Sequence, residues 1–295
     1  MLKFKKFSNI HALCFAGLVG MPCAQADDFA SFETRLHRDD NVGNSRARYA
    51  VGDTTFSSSL SFGRILALGD DPYLWTFGGK LSKDSYQKLD GLDKLDVTAN
   101  IDLKKKWGLG PYAPIFGVNM SYGLQQYSQN DKDKKVQTLE LRASKRLIDS
   151  LNFTARIVGE IHHGNHNQSV EEGRSGAVYE GRNRSLQLVL DYTVWNDKLL
   201  SLSYGIRRGE LIVTTIADSA AIYDVAKAIR PDPTFGPDRD VYRLNGEVKT
   251  RGLGFTMPIT SQWALQLDGQ QHDSKVSNGV SYSRRTYSLS ARYQF

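Results

Sequence analysis

The stretch Tyr287-Ser-Leu-Ser-Ala-Arg-Tyr-Gln-Phe295 alternates strictly between apolar and polar side chains. In a β-strand, successive side chains point to opposite faces, so this period of two places one face in an apolar medium and the other in water. The stretch therefore predicts a strand with an aromatic ladder on its apolar face. The members of that ladder are Tyr287, Leu289, Ala291, Tyr293 and Phe295.

The same alternation recurs along most of the chain, as in Lys94–Leu103, where odd positions are apolar and even positions polar. Strands of water-soluble sheets are commonly about five or six residues long, whereas a tilted strand needs about nine to eleven residues to cross a bilayer. The length of these runs predicts membrane-crossing strands. Twelve are predicted, near residues 29–38, 54–68, 72–86, 94–107, 114–127, 135–147, 151–163, 183–195, 198–210, 240–257, 261–273 and 281–295.

Two of the predicted strands break the pattern. In the second, Arg64 falls on the apolar parity, so we expect a β-bulge near Gly63. In the tenth, Tyr242 and Leu253 lie on opposite parities, which indicates a register break near 250–252. The predicted number of strands is therefore twelve, with a margin of two.

The links between the strands differ in length on the two sides of the predicted sheet. Tight turns at 69–72, 148–150, 196–197 and 258–261 alternate with longer polar links at 39–53, 88–93, 128–134, 164–182, 211–239 and 274–280. Bacterial barrels have short periplasmic turns and long extracellular loops. The sequence thus predicts an all-β fold, a transmembrane antiparallel up-and-down barrel of roughly 12 strands. Aromatic residues next to the short turns predict an interfacial girdle there.

The first 26 residues have the pattern of a secretory signal peptide. A basic start containing Lys3 precedes a short apolar stretch at 12–19, and Ala24-Gln25-Ala26 is a small-x-small cleavage pattern. We therefore expect residues 1–26 to be removed after Ala26 and residues 27–295 to form the barrel. Both cysteines lie within the predicted signal, so the mature chain has no thiol chemistry.

Charge and hydropathy exclude several classes of protein. Beyond the predicted signal, 35 basic residues face 32 acidic residues, which is no nucleic-acid-binding footprint. The mean hydropathy is −0.43, and no run of about 18 apolar residues is present. A chain whose apolar residues occupy every second position gives this average even when it spans a membrane.

The terminal ladder resembles the C-terminal signature of Gram-negative outer-membrane β-barrels. The resemblance implies that the barrel-assembly machinery reads this segment and that outer-membrane lipid and lipopolysaccharide surround the apolar face. A second resemblance lies in Arg38-Asp-Asp-Asn-Val42, which is similar to a run after the first barrel strand of surface-lipoprotein assembly modifiers. Those proteins carry large periplasmic domains, and we expect none in this chain. The mature chain looks most like small single-domain outer-membrane barrels of unassigned function.

The polar residues of each alternating strand indicate what lines the predicted lumen. Acids and bases are nearly balanced there, which suits either a water-filled pore or a lumen closed by ion pairs. The candidate lumen residues are Arg35, Lys80, Asp102, Arg142, Arg156, Glu160, Asp191, Arg207 and Asp268.

One segment carries a concentration of groups that could be catalytic or bind metal: His162-His-Gly-Asn-His166, with Ser169 and Glu171 after it. Outer-membrane phospholipase A is similar in size and strand number, but its His-x-Ser-Asn-Gly run is absent. We therefore assign no catalytic residue, no metal ligand and no cofactor, and we predict that the chain is not an enzyme.

The longest predicted loop, 211–239, contains a helical pattern. Asp218 and Ser219 can cap a helix, and four apolar residues follow at helical spacing: Ile222, Val225, Ala226 and Ile229. A short amphipathic helix at an extracellular mouth would serve as a plug or lid, a docking element for a partner, or a passive cover.

The sequence favours a small passive or gated channel for small solutes. A non-conducting surface barrel with a structural, adhesion or assembly role is the alternative from another class. An outer-membrane lipid hydrolase is the third. The first two differ in whether water and solutes pass through the lumen.

Overall fold

The fold is a single closed antiparallel barrel. A computed structural model describes residues 25–68, 73–165, 175–216, 220–277 and 279–295. Its strands are β1 (Gln25–Asp39), β2 (Asp53–Leu68), β3 (Tyr73–Tyr86), β4 (Lys94–Lys106), β5 (Ile115–Tyr127), β6 (Lys134–Ile148), β7 (Leu151–Gly164), β8 (Gly181–Thr193), β9 (Leu199–Ile216), β10 (Ala228–Pro231), β11 (Arg239–Pro258), β12 (Trp263–Val276) and β13 (Ser281–Gln294). All of them except the four-residue β10 belong to the barrel wall, so the prediction of twelve strands is confirmed.

Each wall strand pairs with its neighbours in sequence, and the ring closes where β1 pairs with β13. The short strand β10 lies outside the ring order, because β9 pairs directly with β11. Pairing of β11 with β12 starts at Gly246, and above that point β10 takes the place of β12 beside Asp240–Arg243. Strands β9, β10 and β11 therefore form a three-stranded extension above one side of the barrel.

The two faces of the wall differ in polarity. Large apolar side chains on the outer face, such as Leu202, Leu253 and Leu267, are about half exposed. Leu202 stands directly opposite Leu253, and Leu267 stands opposite Phe255, because directly paired residues share a face. The inner face carries the polar side chains of the alternating pattern, and the described wall residues form no continuous apolar core there. This is the pattern of a barrel in lipid, with the apolar band outside.

Both expected irregularities are wrong. The pairing of β2 with β1 and β3 runs through Gly63 without a bulge, and Arg64 stays on the outer face. There its guanidinium is bidentate to the Asp28 carboxylate, with Nε–Oδ1 2.6 Å and Nη2–Oδ2 2.9 Å. Strand β11 is also continuous: Tyr242 faces inward above the barrel, whereas Leu253 faces outward lower down.

The three longest strand connections, β1–β2, β7–β8 and the one from β9 to β11, lie at one end of the barrel, as the sequence predicts. The sorting is not complete, because the four-residue β12–β13 link at that end is shorter than the eight-residue β4–β5 link at the other. By comparison with bacterial barrels, the end with the shorter turns is periplasmic and the other end is extracellular. Aromatic side chains gather at the periplasmic end, where Trp263 and Tyr293 lie 4.9 Å apart between ring centroids and Phe295 packs edge-on against Tyr293. The role of this ladder in assembly stays a prediction.

In the part of the chain that the structure describes, helical structure is confined to short turns. Turns of 3-10 helix span Ala47–Tyr49, Asp90–Leu92, Asn130–Lys132, Trp195–Asp197 and Pro233–Phe235, and the single α-helical turn α1 spans Ala220–Tyr223. Within the described ranges, no helix is long and apolar enough to cross a membrane. Residues 1–24 of the predicted signal lie outside the described residues, and β1 begins two residues before the predicted cleavage point.

Candidate functional site

The candidate site is the inner face of the barrel together with the structure above its extracellular mouth. The strand registers place all nine predicted lumen residues on the inward face: Arg35, Lys80, Asp102, Arg142, Arg156, Glu160, Asp191, Arg207 and Asp268. Their part in solute passage stays a prediction.

One ion-pair group crosses an intervening strand. Arg142 on β6 donates from Nη2 to Asp102 Oδ1 on β4 at 2.8 Å, and Lys104 Nζ lies 3.1 Å from Asp102 Oδ2. The strand between them presents Gly117, where an added Cβ would meet Lys104 at 3.5 Å and Arg142 Nε at 3.7 Å. The missing side chain leaves the groove in which Arg142 reaches Asp102. Arg142, Asp102 and Lys104 therefore form one ion-pair group on the β4–β6 side of the lumen.

Other inward charges are paired along the wall. The pairs are Glu33–Arg35 at 2.6 Å, Asp84–Lys94 at 3.2 Å and Asp39–Arg284 at 2.7 Å. Glu160 lies 3.7 Å from the imidazole of His162. Asp191 and Asp268 accept instead from neutral donors, Ser201 Oγ at 2.6 Å and Gln266 Nε2 at 3.0 Å. Among the described residues, Lys80, Arg156 and Arg207 form no salt bridge within 4.0 Å. Of the nine predicted lumen residues, these three cations therefore have no carboxylate partner within that distance.

The lumen keeps polar space between these groups. A cavity of about 420 Å³ lies against β1–β4 and is lined by serines, Lys80 and Asp84 among others. A second polar cavity of about 350 Å³ lies against β8, β9, β11, β12 and β13. Both are large enough to hold several water molecules.

The extracellular extension is closed by its own apolar core. We call residues 211–216 and 220–244 the cap. Val213 on β9 and Tyr242 and Leu244 on β11 are fully buried, and Ile222 and Ile229 pack on them. Burying each of these side chains contributes about 1.5–3 kcal/mol. Tyr242 and Leu244 are apolar residues at inward positions of β11. The segment that connects β9 to β11 covers them.

The predicted lid helix is much shorter than its sequence pattern indicates. α1 includes Ile222 but ends at Tyr223, Val225 and Ala226 follow it, and Ile229 lies on β10. The prediction of one helix carrying all four residues is wrong. Three of them, Val225, Ala226 and Ile229, reach the same core without helical spacing, because β10 adds its edge to β11.

A buried ion pair fastens the cap to the rim of the barrel. Lys132, between β5 and β6, donates to Asp232 Oδ1 at 2.6 Å and to the Tyr179 hydroxyl at 2.8 Å. Both charged side chains are almost completely buried, with 3% and 1% exposed. Burial lowers the pKa of Lys132, so its ammonium depends on the Asp232 carboxylate to stay charged. Burial also raises the pKa of Tyr179 well above its usual value and keeps its hydroxyl protonated. We call these three residues the clasp.

Further contacts tie the cap to other loops. Arg230 pairs with Asp131 next to the clasp. Ala228 bridges to Ser175 in the link between β7 and β8. The backbone N–H of Thr214 donates to the carbonyl oxygen of Gly43 in the β1–β2 link at 2.7 Å. The cap therefore rests on several loops at once and covers part of the mouth.

The Asp-Asn-Val run has a structural role at the barrel seam. Asn41 donates from Nδ2 to the carbonyl oxygens of Ser45 at 2.7 Å and Ser283 at 3.0 Å, and its Oδ1 accepts from the Ser45 N–H. Asp40 Oδ1 accepts from the Arg285 N–H at 2.7 Å. These bonds hold the first extracellular loop on β13, where the ring closes.

The histidine-rich segment is only partly described. His162 lies in the lumen beside Glu160, and His163, on the next position of β7, has the opposite parity. His166, Ser169 and Glu171 lie outside the described residues. Among the described residues, no three His, Cys, Asp or Glu side chains are grouped as a metal site.

Sequence reasoning missed the clasp and the cap core. Lys132 and Asp232 stand in polar loops, where charged residues are ordinarily solvated, and nothing near either one in sequence points to the other. The inward parity of Tyr242 and Leu244 was the available signal for the cap core.

Comparison with known proteins bears on the fold. No family model matches the sequence, and no curated protein matches it. An outer-membrane channel from Pseudomonas putida F1 is similar in structure, with a TM-score of 0.53 and 13% identity over 94% of this chain and 97% of the channel. The NanC porin gives a TM-score of 0.48 and 9% identity over 89% and 98%. The β domain of the Bordetella autotransporter BrkA gives 0.45 and 10% over 90% and 98%.

The closed ring, the apolar outer band and the charged inner face define the class of protein. This chain has the fold of the Gram-negative outer-membrane β-barrels. At these identities the likeness concerns the fold alone, because one fold serves many functions.

Proposed function

We propose that this chain is a passive channel for small hydrophilic solutes in the Gram-negative outer membrane, and that its cap restricts flow at the extracellular mouth. The observation that carries the proposal is the inner face, where charged and hydroxyl side chains surround polar cavities instead of an apolar filling. A wall of this kind supports water and hydrated solutes. The fold shared with the Pseudomonas putida outer-membrane channel is compatible with this function.

Transport through the lumen is tested by swelling of liposomes that contain the purified protein. Ser59 faces the cavity against β1–β4, and its neighbour Ser58 has the opposite parity and faces outward. We expect arabinose to enter wild-type liposomes, Ser59→Trp to slow its entry, and Ser58→Trp to leave the rate unchanged. Equal rates in all three proteins would show that solute does not pass the inner face.

A non-conducting structural barrel is the second candidate, and the paired lumen charges favour it. The Arg142–Asp102–Lys104 group and the pairs along the other walls would close a narrow lumen if no water column separated them. No swelling with arabinose, either with the wild type or with a variant that lacks the cap, would support this alternative.

A further inference from the structure

The cavity beneath the cap has an unusual charge composition. Its polar lining includes Arg207, Arg284, His272, Gln187, Gln270 and Tyr282, and no aspartate or glutamate lines it. The lumen as a whole is nearly balanced in charge, so this local absence of acids distinguishes one wall from the rest. Two residues of the cap, Leu211 and Val213, supply apolar side chains to the lining.

Arg207 is the central donor of this cavity. It lies inward on β9 between Ser185 on β8 and Val248 on β11, and it forms no salt bridge within 4.0 Å among the described residues. Glu160 and Arg284 are its charged neighbours. Glu160 does not line the cavity and lies 3.7 Å from His162. The guanidinium of Arg207 is therefore available to a solute.

Two further polar groups in the cavity have no partner among the described residues. The hydroxyl of Tyr282 is buried without a hydrogen bond, and so is Nε of Arg284. Arg284 does hold Asp39 through Nη2 at 2.7 Å, which offsets its charge. Buried donors are ordinarily satisfied by protein, water or ligand. The cavity thus offers the guanidinium of Arg207, which no carboxylate contacts within 4.0 Å among the described residues, together with unused donors.

We propose that this cavity is a binding site for a small organic monoanion with a carboxylate and hydroxyl groups. A guanidinium presents parallel donors that match a carboxylate, and the amide and hydroxyl groups of Gln187, Gln270 and Tyr282 suit the hydroxyls of the same solute. A volume of about 350 Å³ is at the lower end of small-molecule sites. This inference deepens the proposed channel function, because it names the class of solute that the lumen favours.

Binding is measured by isothermal titration calorimetry of the full chain in detergent, with gluconate as the probe and glucose as the uncharged comparison. We expect gluconate to bind, glucose to bind at least tenfold more weakly, and Arg207→Gln to weaken gluconate binding by about ten- to a hundredfold, since a charged hydrogen-bonding partner is lost. Arg208→Gln is the matched control, because Arg208 lies next in sequence, faces outward and pairs with Glu247 at 2.6 Å.

The variant Asp232→Asn tests whether the cap prevents gluconate from reaching the cavity. It breaks the clasp, and Asp232 does not line the cavity. Absence of gluconate binding in both the wild type and Asp232→Asn would overturn the inference, as would equal affinity in Arg207→Gln or equal affinity for glucose. A protein that binds gluconate but does not pass arabinose would refute the channel and leave this site standing. A protein that passes arabinose and does not bind gluconate would refute this site alone.

Discussion

Lys132 and Asp232 are 100 residues apart in sequence, and their side chains meet at 2.6 Å in a buried salt bridge above the barrel mouth. Thr214 Oγ1 and the Thr234 N–H add hydrogen bonds to the same carboxylate. Tyr179 supports the ammonium from a third loop. This one pair therefore joins the β5–β6 turn to the cap.

Removing one partner of this pair should loosen the cap. Asp232→Asn leaves the Lys132 ammonium buried without its counter-charge, and such a change costs about 3–5 kcal/mol. Hydrogen exchange followed by mass spectrometry should show faster exchange at Val213 and Tyr242, with unchanged exchange in β3 and β4.

Replacing both partners should restore the cap. Apolar residues of similar volume often substitute for a buried ion pair without loss of stability. We therefore expect Lys132→Met/Asp232→Leu to exchange more slowly than Asp232→Asn alone. Identical protection in the wild type and in Asp232→Asn would mean that the apolar core holds the cap by itself.

The inside and outside of the wall can be separated with one pair of neighbours. Leu267 faces outward in the apolar band, and Gln266 faces inward beside Asp268. Leu267→Arg should lower stability in lipid by about 2–4 kcal/mol, while Gln266→Arg should cost far less. Urea unfolding in phospholipid vesicles measures both. Equal costs would contradict the assignment of faces.

The ion-pair group across β5 should contribute to the stability of the wall. Arg142→Met removes the side chain that crosses Gly117 and leaves the nearly buried Asp102 with Lys104 as its ion partner. We expect a loss of about 1–3 kcal/mol in the same unfolding measurement. Arg146→Met, at an inward position on the same strand, should cost less, because Arg146 forms no salt bridge within 4.0 Å among the described residues. A loss in Arg146→Met as large as in Arg142→Met would argue against a specific role for the group.

The twelve wall strands could be predicted from sequence because lipid outside and water inside impose a period of two on every strand. The rule that apolar side chains point outward fails above the membrane, where no lipid surrounds the barrel. Above the membrane, Tyr242 turns inward into a protein core, and its parity was interpreted as a register break although β11 is continuous. Arg64 was likewise expected to need a bulge, yet Asp28 satisfies it on the outer face.

The cap was only partly predictable for a different reason. The apolar residues of the 211–239 segment were recognised, but their helical spacing is compatible with several backbone paths. The backbone path is set by the pairing of β10 with β11, which involves four residues of each strand. Local sequence does not encode which strand pairs with which. The charged residues of the clasp and the lining of the cavity beneath the cap likewise depend on contacts between distant segments.

Planar-bilayer recording of the wild type and of a variant without the cap tests the central claim most directly. Glu210 and Asn245 are directly paired, so replacing residues 211–244 with Asn-Gly joins them through a two-residue hairpin turn. We expect small or intermittent currents from the wild type and larger, steadier currents from the variant. Equal conductance in both would show that the cap does not restrict flow. Silence in both would contradict a channel altogether and favour a barrel closed by its own ion pairs.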